Sequence, residues 1–108
     1  MSTFESAKAI LGAGKPPKRH YLHIGFNFSA PIDRSIINKE FDSARDWIRY
    51  SPDCWILYTA LSPSRWRQRL LSVPEIKKHS FFICKIDIDE SDGFLPNHVW
   101  KWIEKERT

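Results

Sequence analysis

The chain has 108 residues, 42% of them hydrophobic, with five Trp, three Tyr and seven Phe. That suits one compact core and excludes a two-domain protein. No apolar run approaches the ~18–20 residues of a membrane span, and MSTFESAKAILGAGK holds only a short apolar patch behind Glu5, unlike a secretory leader. A cytoplasmic protein without membrane association is expected. The net charge of +4 is uneven, because residues 1–20 carry Lys8, Lys15, Lys18 and Arg19 against Glu5 alone. A flexible basic arm over residues 1–19 is therefore expected ahead of one domain at 20–108. Such an arm serves either as a solubilising tail or as a phosphate contact without sequence preference.

In chain order, Phe4, Ala7, Ile10 and Leu11 recur at helical spacing, and Gly12 to Pro17 reads as a linker. GAGK there is no phosphate-binding loop: Pro16 follows the Lys, no strand precedes it, and the first glycine is missing. His20 to Phe28 reads as a strand, with Leu22, Ile24, Phe26 and Phe28 on one face. The spacing of Ile37, Phe41, Ala44 and Ile48 predicts a helix over Ser35–Tyr50, capped by Asp33 or Ser35.

Cys54 to Leu61 is apolar on both faces, as in a central strand. Ser62-Pro63 opens a second helix, with Trp66, Leu70 and Val73 inward, ending by Pro74 and Lys77-Lys78-His79. Ser80 to Ile88 is a further strand, Asp89 to Gly93 a turn, and Pro96 to Glu106 a last helix with Val99, Trp102 and Ile103 inward. This gives β-α-β-α-β-α. A ferredoxin-like βαββαβ sandwich with an extra C-terminal helix needs one more strand, before Cys54 or after Ile88, where Phe94-Leu95 is a candidate.

The chemical motifs are sparse. Counted from Asp87 as a calcium loop, the glycine position holds Asp92 and the terminal glutamate position holds His98. The loop therefore reads as a solvated turn. His20 and His23 are three apart on a strand and point to opposite faces. His98 is either a general base or a surface residue at a helix start. No nucleophile elbow and no zinc-ligand spacing occurs. No catalytic residue, metal or cofactor is assigned. Cys54 and Cys84 read as buried, reduced thiols.

The basic helix offers more. Arg65 and Arg69 lie one turn apart on a shared face, Arg67 points elsewhere, and Lys77 and Lys78 follow. Arginine forks suit phosphate oxygens. With Lys15, Lys18 and Arg19 these residues form a candidate RNA- or DNA-binding set, for which Tyr21, Tyr58, Trp55 and Trp66 offer stacking surfaces. The alternative is an ordinary solvated helix face. Of the tryptophans, Trp66 and Trp102 fit core positions, while Trp47, Trp55 and Trp100 fit either a wrapped core or a covered homodimer interface.

YLHIGFNFSAP, CWILYTALSPSRWRQRL, FFICKIDI and GFLPNHVWKWI together resemble the small CRISPR-associated spacer-acquisition nucleases and their SinR-like and virulence-associated-protein-D relatives, over residues 21 to 104. The resemblance implies a ferredoxin-like fold, a homodimer joined through its sheets, and, in some members, metal-dependent cleavage of RNA or DNA. It also implies an aromatic-Asp pair at the end of the first strand. Phe26-Asn27 stands there instead. An Asn is a weaker ligand than a carboxylate for a hard cation and cannot act as a base. The expectation is a catalytically degenerate relative that binds nucleic acid or partner proteins as a homodimer. The alternatives are a protein-interaction module of a defence, anti-defence or toxin–antitoxin system and, third, an active nuclease that uses Asp33.

Overall fold

The structure, a computed structural model, describes residues 17–107. The helix expected over residues 2–11, the linker through Pro16, and Lys15 lie outside the described residues. The elements are β1 (His20–Asn27), α1 (Arg34–Phe41), β2 (Asp46–Ser51), β3 (Cys54–Thr59), α2 (Pro63–Leu71), β4 (Ser80–Ile86), a single 3-10 turn (Ile88–Glu90) and α3 (Asn97–Glu104). The fold is α+β: a four-stranded sheet in the order β2-β3-β1-β4, with every neighbouring pair antiparallel. None of the described helices is long and apolar enough to cross a membrane.

Strand alternation sorts the sheet into two faces. Leu22, Ile24 and Phe26 of β1 and Trp55 and Leu57 of β3 point to one side, where Ile37 and Phe41 of α1 and Trp66 and Leu70 of α2 cover them. Phe41 sits edge-on between Trp55 (5.8 Å) and Trp66 (5.6 Å). Both buried indoles find acceptors: Trp55 Nε1 donates to Asn38 Oδ1 and Trp66 Nε1 to Thr59 Oγ1. Indole N–H groups sealed without a partner would each forfeit a hydrogen bond held in water. Ile76, in the turn between α2 and β4, closes this core and is fully buried.

The caps follow the local sequence. Asp33 Oδ1 accepts the Ser35 N–H at the start of α1, and Ser62 Oγ accepts the Arg65 N–H ahead of Pro63.

The main correction concerns Ser35–Tyr50. The helix stops at Phe41, and Asp46–Ser51 is the missing strand, an edge strand paired with β3. Ala44 continues the helical stripe, but it sits in a turn in which its N–H donates to Phe41 O and Ser43 Oγ to Glu40 O. Beyond it, Trp47, Ile48 and Tyr50 are strand formers. Trp47 reaches the core, while Ile48 lies opposite Ile56 on the other face. Phe94-Leu95 forms no strand, and Phe94 is fully exposed. The strands expected to end at Phe28, Leu61 and Ile88 end at Asn27, Thr59 and Ile86.

The tryptophans are also settled. Trp55 and Trp66 are fully buried, and Trp47, Trp100 and Trp102 are half-buried. The first two are core residues, and the other three keep part of their surface open.

Candidate functional site

The sequence-selected basic residues do not gather in one place. Arg19, just ahead of β1, and Arg69, in the last turn of α2, line one groove of about 490 Å³. Ser43, Ala44 and Arg45 of the α1–β2 connection and Thr59, Ala60 and Leu61 after β3 complete it. Three guanidinium groups thus share a groove that no carboxylate lines. None of the three is ion-paired among the described residues. Arg69 rests its guanidinium over the Trp66 ring, 5.0 Å from the centroid, which limits its freedom before any ligand arrives.

Lys77 and Lys78 lie at the other end of the sheet. The Lys78 carbonyl accepts from Ser29 Oγ just past β1, whereas Arg19 precedes the strand. The eight residues of β1 separate the two groups by roughly 25 Å at ~3.3 Å per residue. Arg65 is exposed on the first turn of α2 and does not line the groove, nor does Lys18, which is exposed next to Arg19 in the sequence. Arg45 escaped the sequence reading because it falls inside the stretch read as helix. A strand starting at Asp46 would have placed it at a sheet end.

The proposed stacking surfaces are not available. Trp55 and Trp66 are fully buried, Tyr58 is nearly so, and Tyr21 is covered by Trp102 and Arg107. What remains for a polyanion is charge contact with the backbone rather than base stacking.

Asn27 is exposed at the end of β1, opposite Ser80. Asp33 is committed to capping α1, and the Ser35 N–H holds its carboxyl below the ordinary value. Asp53 is ion-paired with Arg34. Among the described residues no group of three His, Cys, Asp or Glu side chains is placed to hold a metal.

The face of the sheet away from α1 and α2 carries the other polar chemistry. His23 Nε2 and Tyr50 Oη share a 2.5 Å hydrogen bond across β3. Burial lowers the His23 pKa, which favours the neutral ring. Burial first, then the neighbouring thiols of Cys54 and Cys84, push Tyr50 up to about 12. Both cysteines are free and half-buried rather than fully buried. They flank β1 opposite Gly25 and His23. Strands two apart lie roughly 9–10 Å from each other, beyond disulfide reach.

At the β2 end of this face, α3 docks through Val99 and Trp102. Past the helix, Arg107 turns back onto the sheet. Its guanidinium lies 4.1 Å from the Trp102 centroid and 5.7 Å from those of Tyr21 and Tyr58. Nη2 bonds Asp46 Oδ2 at 3.0 Å, and Nη1 donates to Tyr21 Oη and to Lys105 O. Burial pushes the Asp46 carboxyl up, but hydrogen bonds from Arg107 and the Trp47 N–H and the Arg107 charge outweigh it, leaving the pKa lowered. Trp102 Nε1 also favours the carboxylate, although it is too far or too oblique to count as bonded.

Protein-family models give no match to this chain, and neither curated proteins nor solved structures give one.

Proposed function

We propose that this chain is a non-catalytic, ferredoxin-like relative of the small spacer-acquisition nucleases that binds the phosphate backbone of RNA or DNA. The single observation behind this reading is the carboxylate-free groove lined by Arg19, Arg45 and Arg69. Guanidinium forks match phosphate oxygens, and polyanion binding releases counterions. The strand order β2-β3-β1-β4, with helices after β1 and β3, supports the ferredoxin-like assignment. The neutral Asn27 and the occupied Asp33 support a binding role over cleavage. A cytoplasmic setting fits the same reading.

One observation favours a second reading, an interaction module that pairs with itself or with a partner protein. Phe82 is 70% exposed on β4, an edge strand whose outer side pairs with no other strand among the described residues. Such edges invite strand addition.

The test is a gel-shift titration of the full chain with single- and double-stranded RNA and DNA across a salt series, with and without magnesium or manganese. Nucleic-acid binding predicts a salt-sensitive shift without cleavage. The triple variant R19A/R45A/R69A should weaken it and flatten the log–log salt slope by about 2–3. A shift unchanged by the triple variant would remove the groove. Cleavage that needs metal would overturn the role given to Asn27. No shift at low salt, together with a dimer by light scattering that Phe82→Asp dissolves, would establish the second reading.

A further inference from the structure

Arg107 is held by an unusual number of partners. Three aromatic rings from β1, β3 and α3 surround its guanidinium, and the Asp46 carboxylate at the start of β2 closes the fourth side. Only 6% of the Arg107 side chain is exposed. Cation–π attraction and a carboxylate bond together select a cation, and the planar fork selects guanidinium over ammonium.

The cage residues also contact one another. Tyr21 and Tyr58 face each other on neighbouring strands at 4.9 Å, and Trp102 meets Tyr21 edge-on at 6.1 Å. These contacts are among the cage residues themselves and are not made through Arg107. The occupant, by contrast, is imperfectly matched. Its Nε is buried with no acceptor. It also lies outside any helix or strand, beyond the end of α3. A buried donor without a partner is a standing cost to the closed arrangement. A cavity of about 250 Å³ adjoins the site, lined by Arg45, Asp46, Tyr58 and residues 105–107. It offers an incoming side chain a path to the Asp46 carboxylate. Lys105 Nζ lies 3.6 Å from the same carboxylate oxygen but is 63% exposed, so it does not fill the cage.

We propose that the Tyr21–Tyr58–Trp102–Asp46 cage is a recognition site for an arginine side chain of a partner polypeptide, closed in the free protein by the chain's own Arg107. An in-cis occupant competes at a high effective concentration, so the site opens to a partner that contributes further contacts around its arginine. Arg45 lines both the groove and the cavity beside the cage, but Tyr21, Tyr58, Trp102 and Asp46 do not line the groove, so the proposal does not rest on phosphate binding.

The test titrates N-acetyl-arginine methylamide into the full chain and into R107A, followed by tryptophan fluorescence, with the N-acetyl-citrulline analogue as the neutral isostere. R107A should bind the arginine probe saturably, at least ~10-fold more tightly than the wild type, because the tethered competitor is gone. The citrulline probe should not bind, and R107A/D46N should bind neither. Should R107A fail to fold by circular dichroism, R107K carries the same comparison, its ammonium being a poorer plug. Equal affinity in the wild type and the folded variant would overturn self-closure. Absence of saturable binding in the folded variant, or binding of both probes alike, would overturn the site.

Discussion

On the helix-covered face of the sheet, the inward residues of β1 and β3 are apolar or hydrogen-bonded, and two buried indoles have their acceptors. On the opposite face, β1 and β3 present His23 and Cys54, the edge strands add Cys84 and Tyr50, Arg107 lays a caged guanidinium there, and α3 covers only part of it. Along β1 and β3 the difference comes from alternation, and the edge strands and the segment after α3 add the rest. One residue parity carries the stability, and the other carries groups that titrate, accept protons or grip a cation. The face that tolerates unsatisfied donors, Arg107 Nε and Trp102 Nε1, is the second.

The largest effect should come from breaking the first face. Trp66 is fully buried between Phe41 and Thr59. Trp66→Ala removes its packing and leaves a cavity, and should cost about 3–5 kcal/mol in urea unfolding. If the loss is below about 1 kcal/mol, that face does not carry the stability.

Next in size is the Asp46–Arg107 pair. Asp46→Asn leaves a nearly buried guanidinium without its counter-charge. Because the Asp46 side chain is 29% exposed, the cost should be about 1–2 kcal/mol rather than the 3–5 of a sealed pair. The damage should be local: amide exchange in α3 should accelerate about tenfold or more while the β1–β3 ladder holds. Uniform acceleration would show that α3 and the sheet unfold as one unit.

The titrating groups give the comparison a pH signature. The His23 pKa is lowered in the fold, so the unfolded chain binds more protons below about 6.5, and stability should fall as pH drops through that region. Tyr50 has its pKa raised to about 12. Its contribution is intact below about 10, the unfolded value, and is lost as pH rises from there toward 12. Melting temperature followed against pH should therefore decline on both sides. His23→Gln should flatten the acid limb, and Tyr50→Phe the alkaline one. Limbs unchanged by these substitutions would place the titration elsewhere.

Much of the first face was legible in the sequence, because a single periodicity reports it. Leu22, Ile24 and Phe26 alternate, Ser62-Pro63 announces α2, and Trp66 and Leu70 follow at helical spacing. The boundary after Phe41 was not legible. Ala44 and Ile48 extend the 3.6-residue pattern by coincidence, and only the pairing of β2 with β3 reveals Ile48 as a strand residue. The second face was largely hidden for a related reason. Its partners meet across strands, His23 with Tyr50 and Asp46 with Arg107, at separations no local spacing encodes. Arg19 and Arg69 were recognisable as basic residues, but their grouping with Arg45 required the sheet order.

The smallest effect tests whether the second face is tightly packed where it lacks a cover. Gly25 lies between Cys54 and Phe82 on neighbouring strands. A Cβ there would meet His23 Cε1 at 3.5 Å and Cys54 Sγ at 3.8 Å, both ordinary contacts. The glycine is therefore not required by space. Gly25→Ala should stabilise the protein by about 0.4–1 kcal/mol, because the unfolded chain loses freedom while the strand conformation is kept. A destabilisation would mean that the hollow beside His23 cannot accept even a methyl group, and that this uncovered face is packed as closely as the core beneath α1 and α2.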